Sequence, residues 1–169
     1  MLQRSLHAIP ENGQELAFEV AADQLEWREE EYDVSGPVTC RMYLERREDE
    51  VRINGHLTAM LGARCSRCLE RAEISVQDDF EYEFSLRDAV VDELDPLIAQ
   101  AVATGMIDLA QMIHERLLLN IPLRVICTPG CKGLCPICGG NRNKVACTCE
   151  TPEGDPRFQV LRRLKLDTK

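Results

Sequence analysis

Apolar residues recur at every second position through the first half of the chain. Leu16, Phe18 and Val20 alternate with polar neighbours; so do Val38, Cys40, Met42 and Leu44, and then Val51, Ile53, Gly55, Leu57, Ala59 and Leu61. Ile74 with Val76, and Phe80 with Tyr82 and Phe84, repeat the pattern. Period two with charged residues between is the mark of strands that bury one face and wet the other. Arg46-Arg47-Glu48-Asp49-Glu50 separates two of these runs and reads as the polar end of a hairpin. An antiparallel sheet of four or more strands, or a partial barrel, follows from the pattern.

The period then lengthens. Residues 88–107 commit to neither form: Pro96 to Val102 fits a helical turn or a strand, with Thr104-Gly105 as a break. Asp108 is a good N-cap, and Gln111 three residues on completes a capping box. Leu109, Met112, Ile113, Leu117 and Asn120 keep helical spacing, Leu118 and Leu119 widen the apolar stripe, and Pro122 ends the helix. Such a stripe is core packing, so the helix is expected to cover the apolar face of the sheet. The fold class is therefore α+β. Near the C-terminus Phe158, Leu161 and Leu164 predict a short helix carrying Arg157, Arg162, Arg163 and Lys165.

Composition changes the picture after Pro122. Between Cys127 and Cys149 stand six cysteines and four glycines with little apolar content. Such a stretch builds no core of its own, and a metal ion is the usual agent that orders one. Two regions follow: sheet and packing helix over 1–126, and a cysteine-rich tail with a basic terminal helix over 127–169.

The cysteine spacing makes the metal specific. Cys65-Ser66-Arg67-Cys68 is a C-x-x-C pair where a strand should turn back; Cys135-Pro136-Ile137-Cys138-Gly139 is a second, with Cys147 and Cys149 after it and Cys127 and Cys131 before it. Two thiolates two residues apart on a tight turn face one ion, and a glycine after the second cysteine supplies the positive φ the turn needs. Cys40 fits a strand's apolar register and reads as core. The remaining eight make two four-thiolate sites. Cys135, Cys138, Cys147 and Cys149 close one locally, like a zinc ribbon, leaving Cys65, Cys68, Cys127 and Cys131 for the other. The competing grouping joins Cys127, Cys131, Cys135 and Cys138 and leaves Cys65 and Cys68 with Cys147 and Cys149; loop-closure cost favours the first.

Zinc, two ions per chain, is the expected metal, because such knuckles suit a small tetrahedral ion; an iron–sulfur cluster is also served by four cysteines. The N-terminal residues carry no export signal and no run is apolar enough to span a membrane, so the expected compartment is the reducing cytoplasm, where this spacing favours metal over disulfides. A catalytic zinc keeps an open position and usually uses histidine. Here all eight candidate ligands are cysteine, and His7, His56 and His114 lie outside the motifs. With no phosphate loop, nucleophile elbow or dinucleotide fingerprint, the expectation is a non-enzymatic protein without a small-molecule substrate.

Net charge is −9 but unevenly spread: residues 1–115 carry 25 acidic and 10 basic side chains, residues 116–169 carry 4 and 10. The basic tail suggests an anionic partner, nucleic acid first, met by Lys132, Arg142, Lys144, Arg157, Arg162, Arg163 and Lys165. Two tetrathiolate sites offset part of that positive charge. Aromatic residues, at 5%, are too few for base stacking, which points to phosphates. The acidic residues Glu26, Glu29, Glu30, Glu31, Asp33, Asp78, Asp79, Glu81 and Glu83 suggest instead a face for a basic protein.

The run Gly62-Ala63-Arg64-Cys65-Ser66-Arg67-Cys68-Leu69-Glu70 resembles the C-x-R-C-L signature of the YceD family, the large ribosomal RNA subunit accumulation proteins. Ile107-Asp108-Leu109, Glu115 and Leu119-Asn120-Ile121-Pro122-Leu123 are similar to the family's helix and its closing L-x-L-P. Cys131-Lys132-Gly133-Leu134-Cys135-Pro136-Ile137-Cys138-Gly139-Gly140-Asn141-Arg142-Asn143 matches C-K-G-L-C-P-x-C-G-x-N-x-N. The resemblance covers the chain from about residue 16 onward. It implies a bacterial factor that supports large-subunit ribosomal RNA accumulation through RNA, a ribosomal protein or an assembly intermediate. The alternative expectation is a zinc-stabilised protein-interaction module that touches no nucleic acid.

Overall fold

A computed structural model of the chain describes residues 2–25, 27–87 and 95–150. The alternating runs become strands β1 (Gln3–Ser5), β2 (Gln14–Val20), β3 (Tyr32–Val34), β4 (Val38–Arg47), β5 (Glu50–Arg64) and β6 (Arg71–Ser85). Helix α1 (Pro96–Thr104), strand β7 (Met106–Asp108) and helix α2 (Leu109–Leu119) follow. The main sheet is wholly antiparallel. β2 pairs with β4, β4 with β5, and β6 runs along the whole of β5, Glu50 opposite Ser85 and Arg64 opposite Arg71. β3 takes the edge of β5 beyond the end of β4. The β4–β5 turn falls at Glu48 and Asp49, inside the polar run. β1 and β7 form a separate two-stranded ribbon that the alternation does not foretell, since each has only three residues.

One face of the sheet is the core. Val38, Cys40, Val51, Ile53, Leu57 and Leu61 are buried against Leu109, Met112, Ile113 and Leu117 of α2 and against Leu97, Ile98 and Ala101 of α1. Cys40 is fully buried, and burial pushes its thiol up to about 12, as suits a core residue. Gly55 sits in mid-strand because the Phe80 ring lies over it; a Cβ there would collide with that ring. α1 resolves the ambiguous segment: Asp95 caps it, Pro96 opens it, and Gly105 at φ 71 closes it with its N–H on the Ala101 carbonyl at 2.8 Å.

Two details of α2 differ from the pattern reading. Asp108 does cap the helix, accepting from Ala110 N–H at 2.9 Å and Gln111 N–H at 3.1 Å. The Gln111 side chain turns forward to Glu115 at 3.0 Å, so the reciprocal half of the capping box is absent. Leu118 and Leu119 do not widen the buried stripe; they are 37% and 73% exposed, because the helix ends there, before Pro122.

β6 joins two runs that the sequence separates, Ile74–Val76 and Phe80–Phe84, because Asp78 occupies the core-side position between them. It stands opposite Leu57 and meets a bidentate guanidinium from α2: Arg116 Nε at 2.6 Å and Nη2 at 2.9 Å. The same guanidinium lies 5.4 Å from the Phe80 ring centroid. Asp78 therefore does not belong with Asp79, Glu81 and Glu83, which occupy the opposite register. Glu26 lies outside the described residues.

The Arg116 guanidinium holds the Asp78 carboxyl below its ordinary 3.8, against the burial that raises it. A carboxylate whose pKa folding depresses adds stability that is complete above its unfolded value, near 4, and is lost as pH falls through the folded one. Arg116→Ala, which leaves the largely buried Asp78 without its counter-charge, is expected to cost about 2–3 kcal/mol in urea unfolding at neutral pH. The deficit of Asp78→Asn relative to the parent should be constant above about pH 4 and shrink below it.

Candidate metal centres

The long β5–β6 ribbon runs past the end of β4, with β3 on its edge, and its turn is the first C-x-x-C knuckle. Cys65 N–H donates to the Glu70 carbonyl at 2.8 Å, and Leu69 N–H to the Cys65 carbonyl at 2.9 Å. The second knuckle repeats both bonds: Cys135 N–H to the Gly140 carbonyl at 2.8 Å, and Gly139 N–H to the Cys135 carbonyl at 2.9 Å. Gly139 takes φ 70, as its place after the second cysteine predicts; Leu69, in the equivalent place, takes φ 62.

Chain segments after α2 then come to the first knuckle. Ser66 N–H donates to the Val125 carbonyl at 2.8 Å, which carries Cys127 and Cys131 to the turn. Ala63, Cys65, Cys68, Ala72, Val125 and Cys131 form a small apolar cluster separate from the main core. Two sulfur tetrads result, Cys65/Cys68/Cys127/Cys131 and Cys135/Cys138/Cys147/Cys149, each with all Sγ atoms within 4.8 Å of one another. The competing grouping is not the one the fold assembles.

In the first tetrad Cys65 and Cys131 are 3.9 Å apart, Cys68 and Cys127 3.6 Å. In the second, Cys138 and Cys147 are 3.7 Å apart, Cys135 and Cys147 3.4 Å. A tetrahedral ion with metal–sulfur bonds of about 2.3 Å has sulfur–sulfur edges of about 3.8 Å. Each tetrad can therefore hold one ion. All nine cysteines are free thiols.

Hydrogen-bond donors favour the thiolate at Cys65 and Cys135, and at Cys131, where burial is outweighed by the Asn143 amide and the Gly133 N–H. The Cys127 N–H, with those of Arg67 and Cys68, lowers Cys65 to about 6; the N–H groups of Cys138 and Ile137 lower Cys135 to about 6. Cys68 goes the other way: the Glu70 N–H favours its thiolate, but burial and the three neighbouring thiols together push it up to about 12. Cys149 is pushed up to about 12 by Cys147 and Cys138. Hydrogen bonds alone thus sustain only part of each tetrad in ionised form.

The asparagines of the C-terminal motif brace the two centres. Asn143 accepts Lys132 N–H at 2.7 Å and donates to Cys131 Sγ at 3.4 Å and to Asn141 Oδ1 at 2.9 Å; Asn141 donates to Glu70 Oε1 at 3.2 Å. Leu134 N–H reaches the Arg67 carbonyl at 3.1 Å. Residues of the second module therefore hold a ligand and the turn of the first. Both asparagines stand in the matched C-G-x-N-x-N motif, but spacing alone does not show what they hold.

Of the basic residues expected to face nucleic acid, Lys132 and Arg142 are exposed, and Lys144 is paired with Glu70 at 2.7 Å. Arg157, Arg162, Arg163 and Lys165, with the predicted terminal helix, lie outside the described residues. His56 lies on the wet face of the sheet, 2.6 Å from Asp79 and away from both tetrads.

The family model for the large ribosomal RNA subunit accumulation protein YceD matches residues 53–165, from near the start of β5 through both tetrads. The chain belongs to the YceD family. A maize family member, named as a chloroplastic large ribosomal RNA subunit accumulation protein homolog, is 27% identical over 68% of this chain and 49% of its own length. Its Arabidopsis thaliana counterpart is 24% identical over 80% of this chain and 50% of its own. An uncharacterized protein of Mycobacterium tuberculosis is 31% identical over 57% of this chain and 47% of its own. The chain spans about half the length of these relatives. No solved structure matches. Among the described residues no helix is long and apolar enough to cross a membrane.

The two knuckles make opposite use of one backbone position. Left-handed φ costs a leucine about 1 kcal/mol and a glycine little. Leu69→Gly is expected to raise thermal stability modestly with metal retained, and Gly139→Ala, which meets no neighbouring atom, to lower it by a similar amount. Asn143→Ala should weaken metal binding at the first tetrad by about 10–100-fold in chelator competition, although Asn143 follows the second knuckle.

Proposed function

We propose that this chain is a non-catalytic, zinc-binding factor that supports the accumulation of large-subunit ribosomal RNA in the bacterial cytoplasm. The observation that carries the reading is the continuity of the family match with the two tetrads: the residues that align are those that build both centres. Eight sulfurs at tetrahedral spacing, with neither histidine nor carboxylate among them, favour closed zinc sites whose work is to hold the chain end against the sheet. A multi-iron cluster spreads its four sulfurs around several atoms, and the observed separations suit one ion better.

A non-catalytic role is also supported by a surface groove of about 780 Å³ on the wet face of the sheet. It is lined by Arg41, Tyr43, Asn54, His56 and Asp79 among others. His56 and Asp79 form a pair there, but no serine or cysteine lines the groove, and the Tyr43 hydroxyl already reaches the Asn12 carbonyl at 3.4 Å. A second reading, a module that holds a basic ribosomal protein without touching RNA, is favoured by that same face, where Glu15, Glu19, Glu45, Glu73, Asp79, Glu81 and Glu83 occupy the outward register.

Two measurements test the reading. The purified chain should be colourless and contain two zinc ions; a visible-absorbing iron chromophore overturns the metal assignment. Depletion in its host should lower large-subunit ribosomal RNA relative to small-subunit RNA. The parent gene should restore the ratio and Cys65→Ser/Cys68→Ser should not; an unchanged ratio on depletion overturns the function.

A further inference from the structure

Several arginines stand against carboxylates. Arg52 lies 3.0 Å from Glu83, Arg71 2.6 Å from Asp33, Arg87 2.9 Å from Asp49 and Arg116 2.6 Å from Asp78. Others, such as Arg4, Arg41, Arg64 and Arg124, make no ion pair among the described residues, so a missing pair does not by itself mark a site. Arg67, Lys132 and Arg142 are set apart by being joined through backbone hydrogen bonds at one junction. All three are exposed, and none makes an ion pair among the described residues.

The three converge on Gly133. Lys132 precedes it, Arg142 N–H donates to its carbonyl at 2.9 Å, and Leu134 N–H donates to the Arg67 carbonyl at 3.1 Å. A Cβ on Gly133 would stand 3.0 Å from that carbonyl and 3.5 Å from the Arg67 Cβ. Gly133 also takes φ 72. The contact between the ribbon turn and the C-terminal module is therefore closed enough to require glycine. Glu70, the carboxylate of that turn, is already taken by Lys144 and Asn141. Three cations from three separate stretches of chain thus leave one junction, on backbone that both tetrads hold in place, without a counter-charge of their own.

We infer that Arg67, Lys132 and Arg142 form a patch that binds the phosphate backbone of an RNA strand at the junction of the two cysteine centres. The inference rests on the ribosomal RNA reading above and assigns the surface that serves it. Guanidinium and ammonium groups recognise phosphate by charge-assisted hydrogen bonds, and groups with no existing ion pair give up none on binding. Their placement on a braced turn keeps them oriented before RNA arrives. The 5% aromatic content leaves stacking a minor part, so binding should follow phosphate rather than base.

The test uses the zinc-loaded chain and a short single-stranded oligoribonucleotide of mixed sequence, with binding read by fluorescence anisotropy across a salt series. The parent should bind at low salt with an affinity that falls as salt rises. Each of Arg67→Gln, Lys132→Gln and Arg142→Gln should lower the slope of log affinity against log salt by about 0.7, the share of one phosphate contact on single-stranded nucleic acid. Arg41→Gln, on the opposite face of the sheet from the core, should leave the slope unchanged. Zinc content is measured on every variant. If a variant loses zinc, Arg67→Lys and Arg142→Lys, which keep the charge, decide: retained binding with zinc supports the patch, and lost binding with zinc retained overturns it. Absence of RNA binding by the parent at low salt, or unchanged slopes in all three variants, also overturns it. If depletion lowers large-subunit RNA while the purified chain binds a basic ribosomal protein and no RNA, the patch fails and the function stands. If RNA binding behaves as expected but depletion changes nothing, the function fails and the patch stands.

Discussion

Four thiols brought within 4.8 Å of one another cannot all ionise without a cation between them, and the described chain beyond α2 is arranged around that constraint. Among the described residues past α2, Val125 is the one buried residue that is not a cysteine or a glycine, and it packs with Ala63, Cys65, Cys68 and Ala72 of the β5–β6 ribbon and its turn. Order there comes from short backbone bonds and from sulfur. Hydrogen bonds favour the thiolates of Cys65, Cys131 and Cys135, while Cys68 and Cys149 sit well above their ordinary values. A divalent ion held by a tetrad would reverse that imbalance and so couple its binding to the folding of this region.

The parts of the fold readable beforehand are those in which one residue type repeats at one period. β2, β4 and β5 follow the alternation, and the buried face of α2 follows the spacing of Leu109, Met112, Ile113 and Leu117. The knuckles were legible because C-x-x-C followed by a turn leaves few geometries open. What escaped depends on a partner distant in sequence. Asp78 breaks the β6 pattern, and only Arg116, 38 positions away, explains a carboxylate on the core side. β1 and β7 satisfy each other across the chain with three residues apiece. Asn143 stands in the matched motif, but its role appears only when Cys131 lies 3.4 Å from its amide. Arg67 lay inside a recognised signature, yet its role emerges only when Lys132 and Arg142 are brought beside it.

The bracing also bears on how the chain divides. A boundary drawn at residue 127 by composition passes between Val125, which the first knuckle holds through Ser66, and Cys127, which shares that knuckle's tetrad. Asn141 and Asn143 then tie the second module to Glu70 and Cys131. Deleting the second module would leave the first tetrad its four sulfurs but remove a hydrogen bond to one of them and the contact at Gly133.

Leu69 shows which centre bears more of the load. Both knuckles close with the same pair of hydrogen bonds and both put the residue after the second cysteine at positive φ, yet one uses glycine and the other leucine. Strained backbone persists only where its surroundings over-determine it. The first knuckle is gripped by two fifteen-residue strands paired along their whole length and by Val125 from below. That framework imposes the turn on whatever residue stands there. The second knuckle has no paired strands behind it among the described residues, only the bridge between Leu134 and Asn141 and a few loop hydrogen bonds, such as Arg142 N–H to the Gly133 carbonyl, so its turn must be one the local chain adopts with little help, and glycine meets that need. The first centre is therefore built onto an existing scaffold, while the second must create most of its own, so an ion bound there would contribute more to local order than one bound at the first.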